Sequence, residues 1–420
     1  MELHSALIPD ATATDAVYSI VAGSFRSLSL ALLAFYPANR TLQHVETIPA
    51  YGPHQYLAAS PGKDFVYTTS WADPPILSSW KTTRSHGLVD GIEHVNTVSI
   101  TATSSYINIP PPYTFIYSAG GPTGEVHARD PQTGGFGEKV QQFLFVPEDE
   151  LEAADKTRVA LRSGSHGIEF SPEGYAFVPV LGTDTIEMYS RDDSGRLVHI
   201  SSNHSPRGPD AHDGPRHVKL HPNGKVLYCV TEHTNFVDVY EILPRSLRHL
   251  QSASILSDDV SPGTLANSTD PLTRSAYRGG TLMLTPSTER NPAPCALFTT
   301  TRGSTKDERG WLSVFKLDID GHIVNANEAL RFETPTSSGK ANALDIRAKD
   351  RSDDGFWILL TDDDAQADKR GAVRVLEWGG WNDNPVRVVA EWPDGESIKT
   401  LDVGEGDMIL TGASHAIWLD

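Results

Sequence analysis

Arg216, Arg278 and Arg302 stand at the edges of apolar runs in neighbouring segments of this chain. A guanidinium stays charged at any working pH and presents a fork that matches a carboxylate. Brought to one place, several of them would hold a small polyanion. Kept apart, each would make a salt bridge between segments. His166 sits in Ser165-His-Gly167, where the glycine lets backbone pass close to a ligand and the imidazole can carry a proton near neutral pH. Glu232 closes the apolar run Leu227-Tyr-Cys-Val-Thr-Glu. A carboxylate there can pair with Arg216 or move a proton, and both roles remain open. The same kind of position is held by His54, Trp71, Tyr113, His212, His233, Tyr277, Lys340, Asn342 and Asp362. Of these, Tyr113, His212, Lys340 and Asn342, with Arg278, are the candidates for shaping a pocket and binding substrate.

Metal ligation has weaker support. His212-Asp213, Glu232-His233 and Asp362-Asp363-Asp364 contain ligand types, yet none has the HExxH or CxxC kind of spacing. A carboxylate run of that sort reads as a solvated turn. There is no GxSxG elbow and no phosphate-cradling glycine loop. The expectation is therefore no metal and no cofactor.

The elements that must position these residues form a repeat. Ser165-His-Gly-Ile-Glu-Phe-Ser-Pro-Glu-Gly-Tyr175 has a polar lead, a short run, a Pro-x-Gly turn and a second run. Pro215-Arg-His-Val-Lys-Leu-His-Pro-Asn-Gly224 repeats that layout, and so does His54-Gln-Tyr-Leu-Ala-Ala-Ser-Pro-Gly62. It restarts at Tyr277 and again near Asn342. About seven such units recur at a period of about 50 residues, which points to a β-propeller. The first and last units lack full strand sets. C-terminal strands are therefore expected to complete the N-terminal blade and leave no free sheet edge. The fold class is all-β, a seven-bladed β-propeller: residues 1–15 as a flexible arm and 16–420 as a single domain. Residues 120–137, rich in glycine, read as a loop, the acidic stretch 148–154 as a surface excursion, and 243–276 as a second excursion.

In a propeller the innermost strand of each blade lines a central channel, and substrates meet its start and the loops between blades. That is why the leading and trailing positions of the unit carry the chemistry. A formal charge of −19 argues against nucleic acid, which needs a basic face. It does not exclude an anionic substrate, because a ring can be acidic outside and gather arginine at its centre. Cys229 and Cys295 lie in apolar runs and read as buried free thiols. No secretory leader and no membrane-length apolar stretch is apparent. A cytoplasmic protein without a membrane partner is expected, and a homo-oligomer is compatible with the sequence.

Ser165-His-Gly167, Pro215 to Gly224 and Leu227 to Glu232 resemble the fungal carboxy-cis,cis-muconate cyclase family. So do Pro111-Pro-Tyr113, Thr300-Thr-Arg302, Ser338-Gly-Lys-Ala-Asn342 and the terminal Ala416-Ile-Trp-Leu-Asp420. The likeness covers most of the chain and keeps the order of the motifs. It implies a seven-bladed, lactonase-like propeller and a cofactor-free cycloisomerase. In that reaction one carboxylate of a muconate adds across a conjugated double bond to give a lactone. The positions that resemble the family's active-site residues are His166, Arg216, Glu232 and Arg302. Where the family is expected to carry Gly-His-Ser-Asn, this chain has Gly339-Lys-Ala-Asn342, a change that bears on the substrate or the proton donor. The expected substrate is an unsaturated di- or tricarboxylate such as 3-carboxy-cis,cis-muconate. The alternatives are a related cyclase acting on a different acid, a lactonase of the 6-phosphogluconolactonase kind, and a propeller that binds an acid without turning it over.

Overall fold

A computed structural model describes residues 16–53, 56–208, 210–257, 276–340, 342–349, 355–363, 371–381, 385–393 and 412–420. The expected arm at 1–15, His54, Asp364 and most of the later excursion lie outside these residues. The strands form seven antiparallel sheets. Blade I is β1 (Tyr18–Ser24), β2 (Ser29–Tyr36) and β3 (Thr41–Pro49), with the last strand of the chain as its innermost member. Blade II is β4 (Leu57–Ala59), β5 (Phe65–Thr69), β6 (Ile76–Ser85) and β7 (Leu88–Ser99). Blade III is β8 (Ser104–Asn108), β9 (Phe115–Gly120), β10 (Thr123–Arg129) and β11 (Phe136–Leu144). Blade IV is β12 (Glu169–Phe170), β13 (Tyr175–Val180), β14 (Thr185–Arg191) and β15 (Leu197–His204). Blade V is β16 (Pro215–Leu220), β17 (Val226–Thr231), β18 (Phe236–Leu243) and β19 (Ser246–Ser254). Blade VI is β20 (Tyr277–Leu284), β21 (Ala296–Gly303) and β22 (Trp311–Leu317), with β23 (Ile323–Val324) and β24 (Leu330–Glu333) sharing its outer edge. Blade VII is β25 (Leu344–Ala348), β26 (Phe356–Asp362), β27 (Ala372–Trp378) and β28 (Arg387–Trp392). The closing strand of blade I is β29 (Ala413–Trp418).

The strand types follow from position in the blade. A second strand is covered on both faces by neighbouring blades, so it reads as a continuous apolar run. β17, Val-Leu-Tyr-Cys-Val-Thr, is buried at every residue. The outermost strands are half exposed and polar, as in β3 and β15. The Pro-x-Gly turns close as expected. Gly174 N donates to Ser171 O at 3.0 Å and Gly224 N to His221 O at 3.0 Å, and both glycines take positive φ.

Seven hydrophobic clusters fill the seven spaces between adjacent blades. The cluster of Trp357, Leu359, Val373, Ile20 and Leu33 joins blade VII to blade I. The cluster of Leu30, Leu57, Val66 and Trp80 joins blades I and II. Those around Tyr67, Tyr117, Phe177, Tyr228 and Phe298 continue round the ring. The ring shuts through β1 and β29, with Ile20 opposite Trp418 and Ala22 opposite Ala416. Asp420 locks the closure by accepting from Ser19 N at 2.6 Å.

Two segments differ from the sequence expectation. Much of the glycine-rich 120–137 is strand β10 and its turn, not a loop. Its glycines are there for close approach: a Cβ on Gly124 would lie 2.2 Å from the Phe143 ring. The start of the 243–276 excursion is strand β19, whose polar sequence suits an outer edge. No helix among the described residues is long and apolar enough to cross a membrane.

Candidate active site

Two kinds of position line one end of the axis: residues at or just before the start of a blade's first strand, and residues at or just beyond the end of its second. His166, Arg216, Arg278 and Lys340 come from the first kind. Phe25, Trp71, Leu181, Glu232 and Arg302 come from the second. All nine line a single cleft of about 570 Å³. The connection from blade III to blade IV adds Arg158, Leu161 and Arg162 through a short 3-10 turn, Arg158–Arg162. That connection lies close against blade III. Ser165 N donates to Gly120 O at 2.5 Å, and a Cβ on Gly164 would meet the same carbonyl oxygen at 2.1 Å.

Glu232 is the hub. Its Oε2 pairs with Arg216 Nη1, and its Oε1 accepts from Arg302 Nη2 at 3.0 Å and Arg278 Nη1 at 3.3 Å. Its backbone is fixed by Glu232 N to Gly214 O at 2.7 Å and by Gly279 N to Glu232 O at 2.9 Å. Burial would push this carboxyl up, but Arg216 and then Arg302 outweigh it and hold it well below the usual carboxylate range. Burial, reinforced by Arg216 and Arg278, pulls Arg302 down to about 10 despite Glu232, which leaves it charged at neutral pH. His166 is lowered to about 3, first by burial and then by Arg216. It is therefore neutral. Its Nε2 lies 2.9 Å from Leu161 O, so that nitrogen carries the proton and Nδ1 keeps a lone pair.

The lining is strongly one-sided in charge. Arg158, Arg162, Arg216, Arg278, Arg302 and Lys340 face it, against the one carboxylate of Glu232, in a chain of formal charge −19. A concave site of one sign, walled by protein, concentrates ions of the other sign.

Beneath the cleft is a well of about 30 Å³ that shares His166, Arg216, Arg302 and Lys340 and adds Tyr56, Ser105, His217, Thr281, Asn342 and Ser414. Among the described residues, the Nε atoms of Arg216 and Arg302 are buried with no acceptor. Such orphaned donors mark where a ligand or water oxygen would be stabilised. Below the well, Lys219 pairs with Glu169, and Tyr106 donates to the same carboxylate. Tyr56 stacks on His415 with ring centroids 3.9 Å apart.

Of the sequence candidates, His166, Arg216, Arg278, Arg302, Glu232 and Lys340 are brought together. The other three are not deployed as expected. Tyr113 follows the end of β8, whereas Ser105 near that strand's start lines the well. Tyr113 packs instead beside the cluster between blades II and III, with its N donating to Pro110 O at 2.8 Å. The His212 side chain is exposed, and its carbonyl accepts from His233 Nδ1 at 3.0 Å, so this residue supports His233. Asn342 does reach the well, but its amide is engaged: Nδ2 donates to Thr301 O at 2.7 Å and Oδ1 accepts from Thr300 Oγ1 at 2.8 Å. Asp362 and Asp363 pair with Arg374 and Arg26. No three metal-ligating side chains group together among the described residues. Arg158, Arg162, Tyr56 and His217 were missed. The alternation Arg216-His217-Val-Lys219 was a signal for the last of these, whereas nothing local marks Arg158.

The family model described as "Lactonase, 7-bladed beta-propeller" matches residues 19–269. A protein of Cutaneotrichosporon cutaneum named muconate cycloisomerase 1 is 29% identical over 370 residues, spanning 86% of this chain and 90% of its own. The carboxy-cis,cis-muconate cyclase of Neurospora crassa is 27% identical over 217 residues, 51% of this chain and 53% of its own. A 6-phosphogluconolactonase of Klebsiella pneumoniae is 26% identical over 208 residues, 49% of this chain and 56% of its own. The solved periplasmic gluconolactonase of Pseudomonas aeruginosa superposes with a TM-score of 0.63 at 15% identity, covering 89% of this chain and 99% of that one. At that identity the likeness is one of fold.

Proposed function

The chain belongs to the lactonase family of seven-bladed β-propellers, and from that premise we propose that it is a cofactor-independent cycloisomerase. It would close a lactone from an unsaturated di- or tricarboxylate such as 3-carboxy-cis,cis-muconate. The observation that carries this reading is the convergence of three guanidiniums on Glu232 in a cleft whose other charged lining residues are cations. The length of the match to a protein named muconate cycloisomerase supports it.

Arg216 and Arg302 hold substrate carboxylates through donors that Glu232 leaves open, including their unpartnered Nε atoms. Glu232 stays ionised and acts by fixing the arginine geometry. One substrate carboxylate oxygen attacks a diene carbon. The new C–O bond pushes the electron pair toward the neighbouring carboxylate, and the arginines stabilise the charge that develops there. One proton then adds at carbon. We assign that proton to His166 rather than to the ionised Glu232, a choice supported by an Nδ1 lone pair that can take a proton while Nε2 stays on Leu161 O. An entering polyanion opposes the influence of Arg216 and raises the affinity of that imidazole for a proton. The sum is substrate plus one proton, with no redox change.

The test is the loss of diene absorbance when purified protein meets 3-carboxy-cis,cis-muconate in the presence of chelator. No loss with this or any related diene acid would sink the reading. Opening of a supplied lactone to its acid, without activity on dienes, would instead favour the hydrolase that the 6-phosphogluconolactonase likeness suggests.

A further inference from the structure

We propose that the mouth of the cleft contains a second anion-binding subsite, formed by Arg158 and Lys340 beside Trp71, which takes a carboxylate remote from the one held at Arg216 and Arg302. The inference rests on the reading that the inner arginines hold a carboxylate. It adds that the natural substrate is an elongated, flat, conjugated acid carrying anionic groups at both ends.

Arg158 Cζ stands 5.2 Å from the centre of the Trp71 ring, and Lys340 Nζ stands 5.4 Å from it. The three residues come from the III–IV connection, the VI–VII connection and the exit of β5, so no local sequence preference gathers them. Two like charges beside one indole repel each other, and the ring face offsets only part of that cost. Among the described residues the Lys340 ammonium and the Arg158 guanidinium make no ion pair. The nearby carboxylate, Asp363, is taken by Arg26 at 2.9 Å. The proton affinity of Lys340 is lowered, first by burial and further by Arg26, Arg158 and Arg302, while Asp363 opposes the shift. Cations without an ion-pair partner among the described residues, at a concave, aromatic-floored site, are what a carboxylate would relieve.

Size points the same way. The well below is about 30 Å³ and the cleft about 570 Å³, within the ~300–1,000 Å³ typical of sites for larger ligands. A tricarboxylate of muconate size would fill only part of that volume, which leaves room for a longer acid to reach the Trp71 ring. The turn that carries Arg158 is held in place: Thr103 N donates to Lys156 O at 2.9 Å and Val159 N to Thr157 Oγ1 at 3.2 Å. The same turn supplies the Leu161 carbonyl that orients His166. A ligand reaching Arg158 would thus also touch the segment that holds the proton carrier.

Titration calorimetry on the full chain at low salt tests this with three non-reacting probes: biphenyl-4,4′-dicarboxylate, biphenyl-4-carboxylate and trans,trans-muconate. The long diacid is expected to bind about tenfold more tightly than the long monoacid. Arg158→Gln should remove most of that advantage and Arg158→Lys should keep much of it. The affinity for trans,trans-muconate should fall by much less than the lost advantage. Equal affinities for the long diacid and monoacid in the wild-type protein would overturn the subsite. So would an Arg158→Gln variant that weakens the short and long diacids alike. Failure of trans,trans-muconate to bind would count against the inner carboxylate site, a result separate from the comparison of the two biphenyl acids.

Discussion

Glu232 in blade V and Trp71 in blade II occupy corresponding places in the repeat, one and two residues past the end of a second strand, and both face the one cleft. On the blade V–VI side that place is charged, with Arg302 beside Glu232. On the side of blades I, II and IV it is apolar, with Phe25, Trp71 and Leu181. The backbone scaffold is the same, so the difference is one of side-chain choice alone. The proposed substrate, an acid with a hydrocarbon body, would use both sides. The arginines would hold its charges, and the aromatic wall would keep out water, so that those charges interact through a medium less screening than bulk solvent.

The sharpest way to break this comparison is to neutralise the charged side at its hub. Glu232→Gln would leave Arg216 and Arg302 as buried guanidiniums without a counter-charge, at a cost of about 3–5 kcal/mol. The measure is a thermal melt at low salt, and a dicarboxylate ligand should restore part of the loss. A melt unchanged from wild type would mean that the cluster is not held by this carboxylate. Next, Arg302→Met or Arg216→Met should lower turnover of the diene acid by roughly 10²–10³, the usual effect of losing one donor to a developing anion. Single-turnover rates would show whether the loss is in chemistry.

The third prediction concerns pH. His166 is held near 3 in the folded protein, against an ordinary value of 6.5. Below about pH 6.5 the unfolded chain binds a proton that the native state refuses. The contribution to stability is therefore complete above pH 6.5 and is lost progressively as pH falls toward 3, by up to ~1.4 kcal/mol per pH unit. His415, also near 3, adds a slope of the same sign from outside the arginine cluster. His166→Asn should flatten the dependence of melting temperature on pH by one proton's share, leaving those of His415, His217 and His127, all lowered by burial.

On the apolar side, Trp71→Ala should raise KM roughly tenfold, ~1–1.5 kcal/mol of lost aromatic contact, with little change in kcat. A fall in kcat alone would mean that the wall does more than bind. The smallest effect is expected from Tyr113→Phe and His212→Ala, whose side chains face neither half. Steady-state turnover within about twofold of wild type would separate them from the cleft residues.

Much of the scaffold was legible in the chain. The Pro-x-Gly turns at Gly174 and Gly224, the apolar run of β17 and the incomplete terminal units all reported local or nearest-neighbour physics. Strands β10 and β19 were less legible because their residues answer to crossing neighbours and to solvent rather than to strand propensity. Tyr113 resembled a pocket residue in its motif yet lies beyond the far end of its strand. Arg158 gave no signal at all, since its place over Trp71 depends on how one connection settles against another blade.

By itself the sequence determined the strand grammar, the number of units and the supply of arginine, histidine and glutamate at positions that a ring turns toward its axis. Those are properties of short stretches, set by alternation and turn chemistry. Only the tertiary structure decided that Arg216, Arg278 and Arg302 share one carboxylate, across separations of 16, 46 and 70 residues. It also decided that His166 is neutral and that the opposite rim is aromatic. Partner choice and proton affinity depend on distances and burial, and these exist only once the seven interblade clusters have packed and β29 has closed on β1.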